Sequence, residues 1–369
     1  MRHSALSSKL LLVLLVLAVA LVGCSKKEGE TPASPTGIQQ QFTLSLANPH
    51  VQAVMAIQDK HTAKLMADPE VVGTATGMTD DGKPAVLILL KSERKLAQMP
   101  KDIEGAPVIA FVSGPIKALK GGGGGVSHTA RQTRPIQLGT SGGNAYDLAN
   151  GYCCSGTLGA LVVKNGTQYI LSNSHVLCGD IAASSTDPDK AQIGDPIDQP
   201  GLIDVNCQAI PADYVANLST LSSLSPPKNV DCAMAQVIAG KVRTDGAILE
   251  VGVLSSQTLA PTVGLAVKKS GRTSGLTRSS IYGINASVTV GYEDECNGSA
   301  FNVSYTGQIL VTNRSSRFLK AGDSGSLLVQ DVTTNPKAVG LLFAGSTSIA
   351  VANPISAVLS YLGVTMVGI

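Results

Sequence analysis

The stretch Ala321-Gly322-Asp323-Ser324-Gly325-Ser326 sets a serine among small residues just ahead of an apolar run. A hydroxyl flanked in this way can be approached closely by a carbonyl carbon. The N–H groups of Gly322 and Ser324 can point into one concavity, where fixed donors stabilise the charge that develops on an attacked carbonyl oxygen. Attack by serine also needs a base that titrates near neutrality and lies within hydrogen-bond reach. The segment Tyr169-Ile170-Leu171-Ser172-Asn173-Ser174-His175-Val176-Leu177 puts an imidazole at the end of an apolar strand. Of the five histidines, His3 lies in the leader and His50, His61 and His128 lie before residue 136, so His175 is the one imidazole of the C-terminal region. A third segment, Asn229-Val230-Asp231-Cys232-Ala233, carries a carboxylate inside an apolar pattern. Burying that charge is costly without a partner. An imidazole Nδ1–H is a natural one, and the pair would fix the tautomer of the ring. Taken singly, each segment has a plainer reading: a turn serine, a surface histidine, an aspartate capping its own turn.

Together the three segments resemble the trypsin/chymotrypsin-like serine protease family, and most closely its bacterial exported members. The chain order is His175, Asp231, Ser324, with intervals of 56 and 93 residues. The resemblance extends to Cys154-Ser155-Gly156-Thr157-Leu158-Gly159-Ala160-Leu161-Val162 and to Ala352-Asn353-Pro354-Ile355, and covers roughly residues 136–369. It implies two perpendicular antiparallel β-barrels with the site in their cleft. It also implies Ser324 as nucleophile, His175 as general base and then acid, Asp231 as the orienting carboxylate, and the Gly322 and Ser324 amides as the oxyanion hole. Leu342, Phe343, Ala344 and Gly345 resemble the strand that pairs with substrate backbone by β-addition. No Ile-Val-Gly-Gly-like start follows the linker, so activation by insertion of a new N-terminus is not expected. Phe318, six residues before Ser324, stands where an acid would favour cleavage after Arg or Lys. The implied activity is peptide-bond hydrolysis without metal or cofactor. The alternatives are an inactive protease-fold surface binding protein and an esterase using the same three residues.

The elements that must position these residues are short β runs with Gly, Asn, Asp and Ser between them: Thr157–Val163, Gln168–Ser172, Val263–Lys269, Ser280–Thr289, Phe301–Leu310, Ser326–Gln330, Ala338–Phe343 and Ile349–Asn353. Such regular punctuation predicts antiparallel barrels or a sandwich. Helical spacing recurs at Pro354–Leu362. Ahead of this region, residues 46–118 read as a small α+β unit: a helix over 50–67, strands at Val71–Gly77 and Ala85–Leu90 about the Asp80-Asp81-Gly82 turn, a short helix over Lys91–Met99, and a strand at Ala106–Val112. A linker at 119–135, centred on Gly121–Gly125, joins the two. The unit resembles a propeptide or inhibitor module, and intramolecular inhibition by residues 46–118 is expected. The fold class expected is mainly β, two chymotrypsin-like barrels preceded by a small α+β domain.

Address and composition complete the reading. Met1, Arg2 and Lys9 precede thirteen unbroken apolar residues, Leu10 to Val22. That run is shorter than the roughly 17–25 residues a spanning helix needs and fits an export signal, residues 1–23. Leu21-Val22-Gly23-Cys24 resembles the bacterial lipobox, which implies lipidation of Cys24, a tether over 24–45 and an extracytoplasmic, membrane-anchored place in the bacterial cell envelope. Six cysteines then remain, Cys153, Cys154, Cys178, Cys207, Cys232 and Cys296, an even number that suggests up to three disulfides in an exported chain. If His175 and Asp231 are neighbours, Cys178 and Cys232 come close as well, and a Cys178–Cys232 bridge is the first expectation. The family resemblance would instead pair Cys178 with Cys153 or Cys154. With 28 Lys+Arg against 26 Asp+Glu, the net charge of +2 argues against nucleic acid as partner. Apolar residues at 44% exclude disorder of the whole chain. With no Trp and 4% aromatics, the core must come from Val, Ile, Leu and Ala, which favours β structure.

Overall fold

The computed structural model describes residues 44–118, 126–149, 152–178, 191–224, 228–293 and 300–369. The expected leader, the lipidated Cys24, nearly all of the tether, the glycine run and Cys296 lie outside the described residues.

The N-terminal unit begins with helix α1 (Pro49–Met66), capped by the Asn48 side chain, which accepts the His50 N–H, with Pro49 in the first turn. Strands β1 (Val71–Met78) and β2 (Pro84–Leu90) form the expected hairpin. Its turn is closed by Thr79 and Lys83 and carries Gly82 at φ 83°. Strand β3 (Ala106–Val112) lies parallel to β2, reached through a 3₁₀ segment over Glu93–Gln98 where a short α-helix was expected. Two residues, β4 (Lys117–Ala118), complete the unit. On β2, Ala85 to Leu90 are fully buried, because the strand is covered on both faces.

The first barrel is built from β5 (Thr140–Asn144), β6 (Gly156–Leu158), β7 (Ala160–Lys164), β8 (Thr167–Ser172), β9 (Pro196–Asp198), β10 (Tyr214–Leu221) and β11 (Ala233–Val237). The pairing runs β6–β5–β9–β10–β11–β8–β7, and β6 and β7 are one strand bent at Gly159, so the sheet closes on itself. A one-turn helix, α2 (Ser174–Leu177), follows β8. The second barrel comprises β12 (Ala266–Gly271), β13 (Gly275–Glu293), β14 (Ala300–Thr312), β15 (Leu327–Gln330), β16 (Ala338–Gly345) and β17 (Ile349–Pro354), closed by pairing of β12 with both β13 and β15. Two antiparallel barrels preceded by a small α+β unit are the architecture expected from the sequence. Helix α3 (Ile355–Leu362) returns to the first barrel and seats Ile355, Val358 and Leu362 in its core.

Two features depart from the linear reading of the chain. The sheet of the N-terminal unit does not end at β1: Thr76, Thr74 and Gly73 pair with Ile284, Ser287 and Val288 of β13, so the unit extends the second barrel's long hairpin. The buried Gln58 of α1 ties this seam, donating to the Asn285 carbonyl at 2.9 Å and accepting from Thr76 at 2.8 Å. In addition, the C-terminal part of the expected linker is docked on the barrels. The His128 imidazole contacts the Gly139 carbonyl and Glu250, and Arg131 makes a bidentate pair with Asp213.

The first barrel also buries the Asp198 carboxyl. Asp198 is fully buried, with Oδ1 accepting the Gly143 N–H and Oδ2 without a partner among the described residues. Burial pushes its pKa well above 3.8, and Asp213 and Asp147 add to the effect. The native state therefore favours the protonated form. Its contribution is intact below the unfolded-state value near 3.8 and is lost as pH rises through the native value. Asp198→Asn is predicted to raise the urea midpoint at pH 8, with a gain that shrinks on acidification and vanishes below about pH 4. A gain independent of pH would contradict the assignment.

Candidate active site

His175 and Asp231 meet at the end of the first barrel. Strands β8 and β11 pair with Ser172 opposite Ala233, so the residues that overrun each strand, one into α2 and the other two positions before Ala233, are neighbours. The Asp231 carboxylate is fully buried. Its Oδ2 accepts His175 Nδ1–H at 2.6 Å, and its Oδ1 accepts the N–H groups of Ser174 at 2.7 Å and His175 at 3.4 Å. The backbone of Asp231 is held as firmly: Asn173 and Asn353 donate to its carbonyl, and Asn353 Oδ1 accepts its N–H. Ser222 takes the Cys232 N–H on its hydroxyl, and its own N–H donates to Ser174 Oγ. The Asn353 of the Ala-Asn-Pro-Ile stretch thus clamps the carboxylate's own peptide unit.

Sequence reasoning missed a further donor. Tyr292, on the second barrel's hairpin, donates its hydroxyl to Asp231 Oδ2 at 2.9 Å, and Tyr305 lies 2.6 Å behind it. Burial, with the Asp231 charge next, pushes the Tyr292 phenol well above its usual range, and burial likewise raises Tyr305. Both remain protonated donors. Nothing in the local sequence Val290-Gly291-Tyr292-Glu293 marks this role, which arises from tertiary placement.

Ser324 sits in a loop pinned to both barrels. Thr157 of β6 donates its N–H to the Ser324 carbonyl and its hydroxyl to the Gly322 carbonyl, each at 2.9 Å. Gly325 has φ 92°, and a Cβ there would lie 2.1 Å from Ser172 Oγ, so only glycine fits. The neighbouring Asp323 is fully buried and faces Lys269 Nζ at 3.1 Å, with Lys269 equally buried. Asp323 also accepts the N–H groups of Thr273, Ser274 and Lys320 and the Ser274 hydroxyl. Burial lowers the Lys269 pKa, while Asp323 opposes that effect. The Lys269 side chain of β12 therefore ties down the loop that carries Ser324. The N–H groups of Gly322 and Ser324 have no protein acceptor among the described residues.

No hydrogen bond joins the serine and the imidazole among the described residues. The Ser324 hydroxyl donates to the Phe343 carbonyl at 3.1 Å, and His175 Nε2 has no partner among the described residues. All three side chains are buried. The strand beside them is itself paired with β4. Ala118 pairs with Ala344 and Lys117 with Gly345, antiparallel, while Lys117 also pairs in parallel with Gly291 of β13. The outer side of Ala344–Gly345, part of the stretch expected to pair with substrate, is covered by the protein's own residues. Phe318 is placed differently from expectation. It is buried in the second barrel's core with Val51, Ile281 and Leu319.

The cysteines correct the first pairing expectation. Cys153 bonds Cys207, whereas Cys232 is a buried thiol outside any disulfide, so no Cys178–Cys232 bridge forms. The Cys232 N–H is taken by Ser222, and burial pushes its thiol up. The observed bridge pins the chain just ahead of β6 to the loop after β9.

The Nal1 C-terminal domain family matches residues 227–353, a stretch that includes Asp231 and Ser324 and excludes His175. The comparison with curated proteins found no match. Among solved structures, the chain is similar to a glutamic acid specific serine protease, at 18% identity over 63% of this chain and 100% of that one, with a TM-score of 0.41. It is similar to protease A of Thermobifida fusca at 17% identity, over 63% and 98% of the two chains, with a TM-score of 0.40. A chymotrypsin of Cellulomonas bogoriensis is 20% identical over 63% and 99%, with a TM-score of 0.39.

The Lys269–Asp323 pair generates a test. Removing one partner of a buried ion pair leaves the other charge uncompensated. Lys269→Met is predicted to cost about 3–5 kcal/mol in urea unfolding. A loss under about 1 kcal/mol would show that the loop does not depend on the pair.

Proposed function

We propose that the chain is a serine endopeptidase that hydrolyses peptide bonds through an acyl-enzyme. The observation that carries this reading is the His175–Asp231 contact of 2.6 Å beside the Gly322–Ser326 loop. In the proposed cycle, Ser324 Oγ turns from the Phe343 carbonyl toward His175 Nε2 and attacks the substrate carbonyl carbon. Its proton passes to Nε2, and the oxyanion is met by the Gly322 and Ser324 amides. The imidazolium then protonates the leaving amine. Water, deprotonated by the same nitrogen, hydrolyses the ester and returns Ser324. Asp231 keeps the ring in the tautomer with Nε2 free and stabilises the imidazolium.

The proposal includes self-inhibition. Polypeptide substrate would add to Leu342–Gly345 as a strand, and Lys117–Ala118 occupy that position. The β4 register steps toward Phe343, whose carbonyl holds the Ser324 hydroxyl. Residues 46–118 thus act as a built-in occupant of the cleft, seated by the β1–β13 seam. The run Leu10–Val22 and the Leu-Val-Gly-Cys end support export and lipid anchoring at Cys24 in the cell envelope. A second reading, a catalytically silent binding protein, draws on the bond from Ser324 to Phe343 in place of one to His175.

Peptide hydrolysis separates the two. Lys117→Pro removes an N–H that the pairing uses, at a cost of about 1 kcal/mol, and is predicted to raise the rate on an unstructured peptide about fivefold. Ser324→Ala on that background should lower it at least about a thousandfold. Equal and negligible rates in both variants would favour the binding reading. Hydrolysis of esters alone would assign an esterase.

A further inference from the structure

The geometry points to Tyr292 as a positioning residue for Asp231, a role that rests on the protease reading and deepens it. The carboxylate is fully buried, and its oxygens are shared among few donors. Oδ1 takes two backbone N–H groups of α2, and Oδ2 takes the imidazole and the Tyr292 hydroxyl. Only Tyr292 among these comes from the second barrel. Without it, every side-chain and backbone donor to the carboxylate would lie on α2, the element that also carries His175.

The phenol is itself held. Its ring stacks on Phe301 at 5.4 Å and 13° and meets the His175 ring edge-on at 5.9 Å. Tyr305 donates to the Tyr292 oxygen, so the Tyr292 proton is directed at Asp231, and Tyr305 in turn packs against Phe343 at 4.9 Å. Tyr305 thus donates to Tyr292 and Tyr292 to Asp231 Oδ2, the oxygen that also accepts the His175 Nδ1–H. The titratable groups facing Asp231 are His175 from α2, Tyr292 and Tyr305 from the hairpin, and the Cys232 thiol beside it. Position 291, next to Tyr292, donates its N–H to the Ile116 carbonyl at 3.0 Å. The strand that steadies the carboxylate is therefore also a wall of the groove.

Tyr292→Phe deletes one oxygen and keeps the ring between Phe301 and His175. Hydrogen bonds to a charged acceptor are the stronger kind, so kcat on a peptide is predicted to fall about tenfold with KM unchanged. With one donor fewer on Oδ2, more of its charge faces the imidazole. The acid limb of kcat/KM should move to higher pH, and the His175 Nδ1–H resonance of the full-length protein should move downfield. Tyr305→Phe leaves the Tyr292–Asp231 bond in place and should change each readout far less. If Tyr292→Phe alters only the unfolding midpoint, with the acid limb and the Nδ1–H resonance fixed, the phenol is packing and the inference fails. If the Lys117→Pro protein hydrolyses no peptide while the resonance still shifts in Tyr292→Phe, the positioning contact stands and the protease reading fails.

Discussion

A fully buried carboxylate must be surrounded by donors, and the arrangement of the site follows from that requirement at Asp231. Charge in a low-dielectric interior costs several kcal/mol unless hydrogen bonds replace the lost hydration. The donors to Asp231 come from α2 and from the β13–β14 hairpin, and its peptide unit is clamped by Asn173 and Asn353. Those groups belong to the first barrel, the second barrel's hairpin and the strand ahead of α3. The full set is present only with both barrels closed, because Tyr292 and Asn353 lie outside the first one.

The same constraint recurs at the serine. Asp323 is buried one residue from Ser324 and is neutralised by Lys269 from a neighbouring strand, with backbone N–H groups filling its remaining lone pairs. Two buried acids thus frame the site, one steadying the imidazole and the other the loop of the hydroxyl. Between them Thr157, a residue of the first barrel, bonds twice to the loop of the second. The contact between barrels is a polar one at its centre, and Gly325 allows the close approach that it needs.

The residues with chemistry were legible because their types are rare in this chain and their flanks are distinctive. His175 is the one imidazole after residue 136, and Ser324 lies in a run of small residues. Apolar strands such as the one expected at Ala338–Phe343 could be read from their short apolar runs and the turn residues between them. Thr140–Asn144 could not, since Thr-Ser-Gly-Gly-Asn carries no apolar pattern and becomes a strand only through its neighbours β6 and β9. Tyr292 was hidden for a related reason, as its partner lies 61 residues away on the other barrel. The disulfide was misassigned by arguing from His–Asp proximity to Cys178 and Cys232. The cysteines that bond are Cys153 and Cys207, 54 residues apart, brought together by loops whose course the sequence does not specify. The linker was read by its glycines, whereas His128 and Arg131 beyond them find partners on the barrels, Glu250 and the buried Asp213.

The central claim is that this framework activates one hydroxyl. It is tested most directly by treating the purified protein with a fluorophosphonate probe at neutral pH and locating the adduct by peptide mass mapping, with and without Asp231→Asn. The account predicts a single adduct on Ser324, formed faster when the groove is vacated by Lys117→Pro and lost when the carboxylate is neutralised. A groove-vacated protein that takes no label, or labels elsewhere at a rate indifferent to Asp231, would contradict it.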